Sequence, residues 1–468
     1  MSISSSLRLE RTLIARDRGL IATAVALALI LLISLLSGMR ADQAETAALR
    51  SAAAKVQAEW AAQPPKNPHS AAHYGILVYR PRAPLQAIEP GVLPFQGAVT
   101  FLEAHKRNAP MLSPASVRVA ERSYGSTRYS PMLQVAGGFL ALVLGYLIGA
   151  REARRGMIPL LRGSGARGGS VVAAKAICTG VLVLIAALPS LIFAAISVGG
   201  GDAGLRFGAL LAASVSHLFI LAAIGVASGM WLGAARFGLA AVAFAWAMSV
   251  MILPRIADTV AEHAVPLTQQ SLDAAISADF KRGPAGHGDS PANEVFERQT
   301  LARYGVSRKE DLQVNYDALL MQADEDFRAG VYDQRLAEAE VVRARQDFIR
   351  QFSWAFGPTP AMLNLSMRIA GADADTQSRF DASAEVFRRD LVGRLNRHMA
   401  ENSRTGDWEW KPADQYYASF EAFNPSKPTL AEDAVHLLPG ISMMFFWGLL
   451  ALAGLISAAK RFNARAAL

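Results

Sequence analysis

Few side chains in this chain have the types and spacing that chemistry requires. His69 and His73 lie four residues apart, with His105 further on, and that interval could set two imidazoles on one helical face for a metal. Pro68 restricts the backbone there, and no carboxylate or thiol cluster joins them, so they read as surface or packing histidines and no metal is expected. His217 and Ser228 would suit a base and a nucleophile, but eleven residues of helix separate them by about 16 Å of rise. They share a face without reaching each other, so no serine hydrolase is built from them. His217 alone, a polar group in an apolar run, is a candidate for a substrate path or for a hydrogen bond between helices. Gly163, Gly165 and Gly168 match G-x-G-x-x-G, yet no strand precedes them and a dinucleotide-binding unit does not fit between their apolar neighbours. No G-x-x-x-x-G-K-[ST] occurs, which excludes a P-loop ATPase within this chain. The single cysteine, Cys178, excludes an internal disulfide and reads as a small buried apolar side chain. No catalytic residue and no cofactor of its own are expected.

The elements that would position these residues follow from how the charge is distributed. Of 468 residues, 52% are hydrophobic and 18% charged, too apolar for soluble domains and too charged for membrane throughout, so the charges must be segregated. Uncharged runs long enough to cross a bilayer are read at 19–39, 130–150, 176–201, 207–230, 237–254 and 434–459. Between and around them lie an N-terminal segment at 1–18, polar segments at 40–129 and 255–433, a basic loop at 151–175 and a tail at 460–468. The formal net charge of +8 is spread over loops and flanks, with no aromatic-interleaved basic stripe, so nucleic acid is not an expected partner.

Orientation comes from the basic flanks. Arg8, Arg11, Arg16 and Arg18 precede the first run, Arg151, Arg154, Arg155, Arg162, Arg167 and Lys175 crowd the loop, Arg236 sits in the tight turn of the fourth and fifth runs, and Lys460, Arg461 and Arg465 end the chain. All fall on one side if there are six crossings, which places both termini in the cytoplasm. The two long polar segments then emerge on the other side, and because neither has a complete core of its own they are expected to fold together. Leu7, Leu9, Leu13 and Ile14 suggest a short amphipathic helix along the cytoplasmic interface. The larger polar segment should be mostly helical, with a long helix or a tandem pair over 309–352, shorter helices over 361–369 and 375–399, and a mobile loop at 281–292. Phe352, Trp354 and Phe356 are read as an ordinary domain core in preference to a membrane-interface patch. The fold class is thus a mostly α membrane protein.

LRLERTLIARDRG near the N-terminus, the loop GAREARRGMIPLLRGSGARGGSVVAAK, and NPHSAAHYGILVYRPRAPLQAIEPGV, FLEAHKRN and GPTPAMLNLSMRIAGADADTQSRF together resemble the ABC-2 type permeases, membrane subunits of ATP-binding-cassette transporters. The likeness is to a subgroup with a large extracytoplasmic insert before the last crossing. It implies a six-transmembrane-helix permease bundle with a mainly helical extracytoplasmic domain, an elbow helix at 1–18, and a coupling loop that docks on a cytoplasmic ABC ATPase. The docking residues implied are Arg151, Glu152, Arg154, Arg155, Leu160, Leu161 and Arg162; Arg155, Gly156 and Met157 depart from the Gly-Thr-Leu-like run usual there. It also implies a second permease, identical or related, membrane lipid around the bundle, and ATP and Mg in the partner ATPase. The bacterial inner membrane is the expected location, with the large domains periplasmic, where they meet substrate or a periplasmic partner; export is the expected direction. The alternative is a membrane-anchored sensor or mechanotransmission protein acting through its external domain.

Overall fold

The computed structural model describes residues 2–111, 128–233 and 235–464. The expectations that fall on 112–127 and on Arg465 lie outside the described residues. Among the described residues, six helical stretches are long and apolar enough to cross a membrane, which makes the chain a mostly α, membrane-embedded protein. The short helix α1 (Ile3–Ala15) is capped by Ser2, and α2 (Arg18–Ala61) starts at Asp17, whose carboxylate accepts from the backbone N–H groups of Gly19 and Leu20. The first expected crossing ends at residue 39, but α2 runs on without a break to Ala61. Its Ala/Glu/Gln-rich second half contains no Pro or Gly after Gly38 to stop it.

After α2 comes α3 (Pro68–Tyr74), then a small antiparallel sheet of β1 (Ile76–Tyr79), β2 (Val99–Glu103) and β3 (Lys106–Arg107) in the order β1-β2-β3. The second span is α4 (Tyr129–Arg154), which includes a π-helical turn at Leu133–Gly137. A short helix α5 (Ile158–Gly163) leads to α6 (Gly168–Ser197) and α7 (Asp202–Leu232). The expected loop at 151–175 is therefore largely helical, and only residues 155–157 and 164–167 lie outside helices. Pro189 sits inside α6 without ending it.

The fifth span, α8 (238–264), contains a second π-helical turn at Met248–Ile252 and continues past the expected end at 254. Then follow α9 (Gln269–Phe280), α10 (Pro291–Tyr304), α11 (Tyr316–Gln351), α12 (Pro358–Ala370), α13 (Ala374–Asn402) and the sixth span α14 (Leu430–Ala464). The helix expected over 309–352 is the single α11, capped by Asn315, and the two shorter ones are α12 and α13.

Two cores organise these elements. One lies inside the bundle and joins Leu31 and Leu35 of α2, Leu142 and Ile148 of α4, Val183 of α6 and Leu218 of α7 to Met362, Leu365 and Ile369 of α12. The other joins the two polar segments: Trp60, Ala72, Ile76 and Leu102 pack with Phe380, Leu391, Leu395, Tyr417 and Phe420. The polar segments thus form one body, as expected. The core reading of the aromatic run is corrected in part. Trp354 is buried, and its carbonyl accepts from Trp447 Nε1 at 2.9 Å, whereas Phe352 and Phe356 are each 62% exposed. Met251, Ile252 and Ile256 of α8, whose helix packs against this turn, are exposed as well.

Candidate functional site

The basic loop is built on a buried charge cluster. Ser6, Glu10 and Ile14 form the inward stripe of α1, spaced four residues apart, and face α6. Glu10 accepts from Arg151 Nη2 at 2.6 Å and from Lys175 Nζ at 2.8 Å, and Glu152 closes the set with Lys175 at 2.8 Å and Arg151 at 3.0 Å. Lys175 also donates to the carbonyl of Ile148 at 3.0 Å and is 1% exposed. Two acids and two bases balance, and nearly every donor is used, which is the condition for holding charges away from water. The cluster ties α1, α4 and α6 together at one end of the bundle.

This divides the expected docking residues into two groups. Arg151 and Glu152 face inward, into the charge cluster that holds the base of the loop. Arg154, Arg155 and Leu160 are exposed, with Leu160 at 72%, while Leu161 packs towards Val171 and Phe462, and Arg162 donates to the carbonyl of Asn463 on α14 at 2.5 Å. The outward surface is therefore a short helix with an apolar tip, flanked by Arg154, whose guanidinium lies 5.7 Å from the Tyr146 ring centroid, and by exposed Arg155. Sequence reasoning missed Glu10 and Lys175 as partners. The available signals were that Glu10 is the only acid in the first 16 residues and that Lys175 is the only charge within α6. The G-x-G-x-x-G match dissolves into packing, since a Cβ on Gly168 would lie 2.3 Å from the carbonyl oxygen of Ala459.

His217 is fully enclosed between α4 and α7, and its Nε2 donates to the carbonyl of Gln134 at 3.1 Å. Gln134 lies in the π-helical turn, where the ordinary helical hydrogen-bond ladder is shifted and a carbonyl is available to a side chain. The hydrogen-bond role is the one the geometry supports; the side chain is not placed on an open path.

The three histidines read as surface or packing residues converge, together with a fourth, His287. His69 and His73 share a face of α3, His105 occupies the β2–β3 turn with φ +63°, and His287 comes from the loop between α9 and α10. The Nε2 atoms of His69, His73 and His287 are 2.9, 3.1 and 3.3 Å apart, and one ring nitrogen from each of the four lies within 4.8 Å of the others. Burial, with the neighbouring imidazoles adding to it, holds His69 down to about 3 and lowers His73 and His287. Each shift favours the neutral ring, which keeps a lone pair. Behind them, His105 Nδ1 stands 3.1 Å from Asp324 and 3.2 Å from Glu325 on α11. Burial raises the Asp324 carboxyl, but the neighbouring His105 ring and the Arg328 guanidinium outweigh it and hold the group below the usual range.

A mostly helical membrane protein with a polar body on one end is thus the class that the architecture defines. Residues 269–419 match a family model described as a domain of unknown function (DUF3526), a stretch that runs from α9 to the segment before α14 and includes His287 and Asp324. No curated protein and no solved structure matches the chain.

Proposed function

We propose that this chain is the membrane permease subunit of an ABC-2 type transporter, an exporter driven by a separate cytoplasmic ABC ATPase. The observation that carries the reading is the short helix α5: its exposed face offers Leu160 beside Arg154 and Arg155, and its base is held rigid by the buried Glu10–Arg151–Glu152–Lys175 cluster. A docking knob must transmit force without bending, and a desolvated four-charge anchor supplies that stiffness. The amphipathic α1, which enters the same cluster, corresponds to the elbow helix. The spans α8 and α14 are the least covered by the rest of the bundle, which leaves faces for a second permease or for lipid. Closure of two ATPase subunits would push on α5 and rock the bundles between inward and outward access. With the arginine-rich flanks inside, the polar body lies outside the cytoplasmic membrane.

The test is purification of the protein in mild detergent from its native host, with identification of the proteins that come with it and assay of ATP hydrolysis. A stoichiometric ATPase is expected. Arg154→Glu with Leu160→Asp should weaken its association by about tenfold or more, since an exposed anchor in a docked interface is worth a kcal/mol or more. Lys175→Met should instead lower thermal stability, because it leaves two buried carboxylates to share Arg151 alone. A chain that purifies alone and folded, with no ATPase, overturns the reading in favour of a sensor acting through the polar body.

A further inference from the structure

We propose that His69, His73, His105 and His287 bind one zinc-type divalent cation, which clamps the loop between α9 and α10 to α3 and the β2–β3 turn. The donor set is four imidazoles with no thiolate, and imidazole nitrogen suits Zn2+ among the divalent metals of this size. At a metal–nitrogen bond of 2.0–2.1 Å, the corners of a tetrahedron lie about 3.3 Å apart. The three edges among His69, His73 and His287, at 2.9, 3.1 and 3.3 Å, match this to within a few tenths of an ångström, and the ring of His105, within 4.8 Å of the others, has to close in to complete the set.

Hydrogen bonding among the rings does not account for the cluster. Three Nε2 atoms that all lie near one another form a triangle in which each ring has either one proton or one lone pair to offer, so at least one edge is unsatisfied. Both ring nitrogens of His105 are buried without a hydrogen bond of good geometry, as is Nδ1 of His69, a residue only 5% exposed. Buried polar atoms left without partners are uncommon and call for an explanation.

The surroundings match those of a metal ligand. With His105 Nδ1 beside Asp324 and Glu325, its Nε2 is the atom free to coordinate, the carboxylate–histidine–metal arrangement that fixes ring orientation and raises basicity. The backbone N–H of His105 also donates to Glu325, which holds the positive-φ turn in place. Glu325 is held in turn by Arg388 at 2.7 Å and Asp324 by Arg328 at 2.6 Å. The His287 loop is fixed by Asn293, whose amide bonds the backbone of Ala285 on both edges and the carbonyl of Gly288. His73 and His287 are exposed, so an ion reaches the site from solvent. Among the described residues, this is the group of histidines, cysteines and carboxylates whose ligand atoms gather this closely.

The experiment uses the full chain in detergent, purified with a tag free of histidine, stripped with a chelator and titrated with Zn2+. One Zn2+ per chain is expected, and Co2+ in its place should give the intense visible bands of a four-coordinate ion. His287→Asn should weaken Zn2+ binding by about 100-fold, and His69→Asn with His287→Asn should abolish it, while His263→Asn, at an exposed histidine outside the cluster, leaves it unchanged. Chelation should also speed tryptic cleavage after Lys281 and Arg282 by about tenfold or more, by freeing the loop. Absence of stoichiometric Zn2+ in the wild type, or its retention in the double variant, overturns the proposal. Should the double variant not fold, His287→Asn alone, at an exposed loop position, decides between the two.

Discussion

At the scale of single residues, Asp381 on α13 shows how burial sets the direction of a pH effect. Burial pushes its carboxyl from the ordinary 3.8 up to about 6, against the Gln377 amide, which donates to it at 2.8 Å, and the pull of Arg107 and Arg80. The folded state therefore holds the proton more tightly than the unfolded one. Its contribution to stability is fully present below pH 3.8 and is lost as pH rises through about 6, leaving a constant penalty at neutral pH. Asp381→Asn keeps an acceptor for Gln377 and removes the charge, so it should stabilise the protein at pH 7.5 by about 1–2 kcal/mol, a figure discounted for the part of the group that solvent screens. Thermal unfolding in detergent at pH 4.5 and pH 7.5 checks this: the advantage must shrink at the lower pH, and an equal gain at both would refute it. Little of this was legible in the sequence, where Asp381 is one acid among many. The same holds for the histidines. His69 and His73 announced a shared helical face, but His287 lies 218 residues from His69, and no local pattern links them. The neighbouring Pro284, Gly286 and Gly288 argued for a loose loop, and what fastens that loop is Asn293, in the first turns of the next helix.

At the scale of elements, the spans were legible because the absence of charge over twenty or so residues is a property of composition alone. Their ends were not, since helix continuation beyond an apolar run depends on caps and packing: α2 runs to Ala61 and α6 takes in Lys175 because Glu10 and Glu152 neutralise it. Nor was the pairing of spans. The closest contact in the bundle is α4 with α7, and it rests on Gly145 and Gly149 against Gly225 and Gly229, two small-x-x-x-small patterns facing each other. A Cβ at Gly225 would lie 2.2 Å from the carbonyl oxygen of Leu142, and one at Gly149 would lie 2.4 Å from that of Val226. The helices would have to separate, and the His217–Gln134 bond between them would be lost. Gly225→Val should therefore destabilise by about 2–4 kcal/mol, read as a lower melting temperature and reduced recovery from membranes. Gly208→Ala, on the same helix with open space around it, is the control, and should be neutral or mildly stabilising. Equal losses in both would mean that close approach at Gly225 is not what costs stability.

At the scale of the whole molecule, the polar body and the bundle are joined by one side chain more than any other. Arg206, in the first turns of α7, is fully buried. It donates to Asp202 at 2.6 Å, to the carbonyl of Ile369 at the end of α12, and to the carbonyl of Pro428 and the carboxylate of Asp433 at the start of α14, each at 2.9 Å. A planar guanidinium can serve four such acceptors at once, and an ammonium cannot match that geometry. Arg379 of α13 also reaches Asp433 at 3.3 Å, so the charge of the acid is shared between bundle and body. Motion of α7 relative to α12 or α14 must pass through this junction, which makes it the point where the two bodies are mechanically coupled. Arg206→Met keeps the length and loses the donors, leaving Asp433 with only the longer Arg379 contact and two carbonyls without partners. The expected cost is about 3–5 kcal/mol, the range for breaking a buried pair from one side. More telling is the form of unfolding: the wild type should lose both bodies in one transition, and the variant in two, with amide exchange in α13 rising before exchange in α7. Arg298→Ala, which removes an exposed pair with Glu294 at 3.9 Å, should leave the single transition intact. If Arg206→Met also unfolds in one step at a lower temperature, the bodies are held together by the shared apolar contact of α12 with the bundle, and the arginine only adds to it.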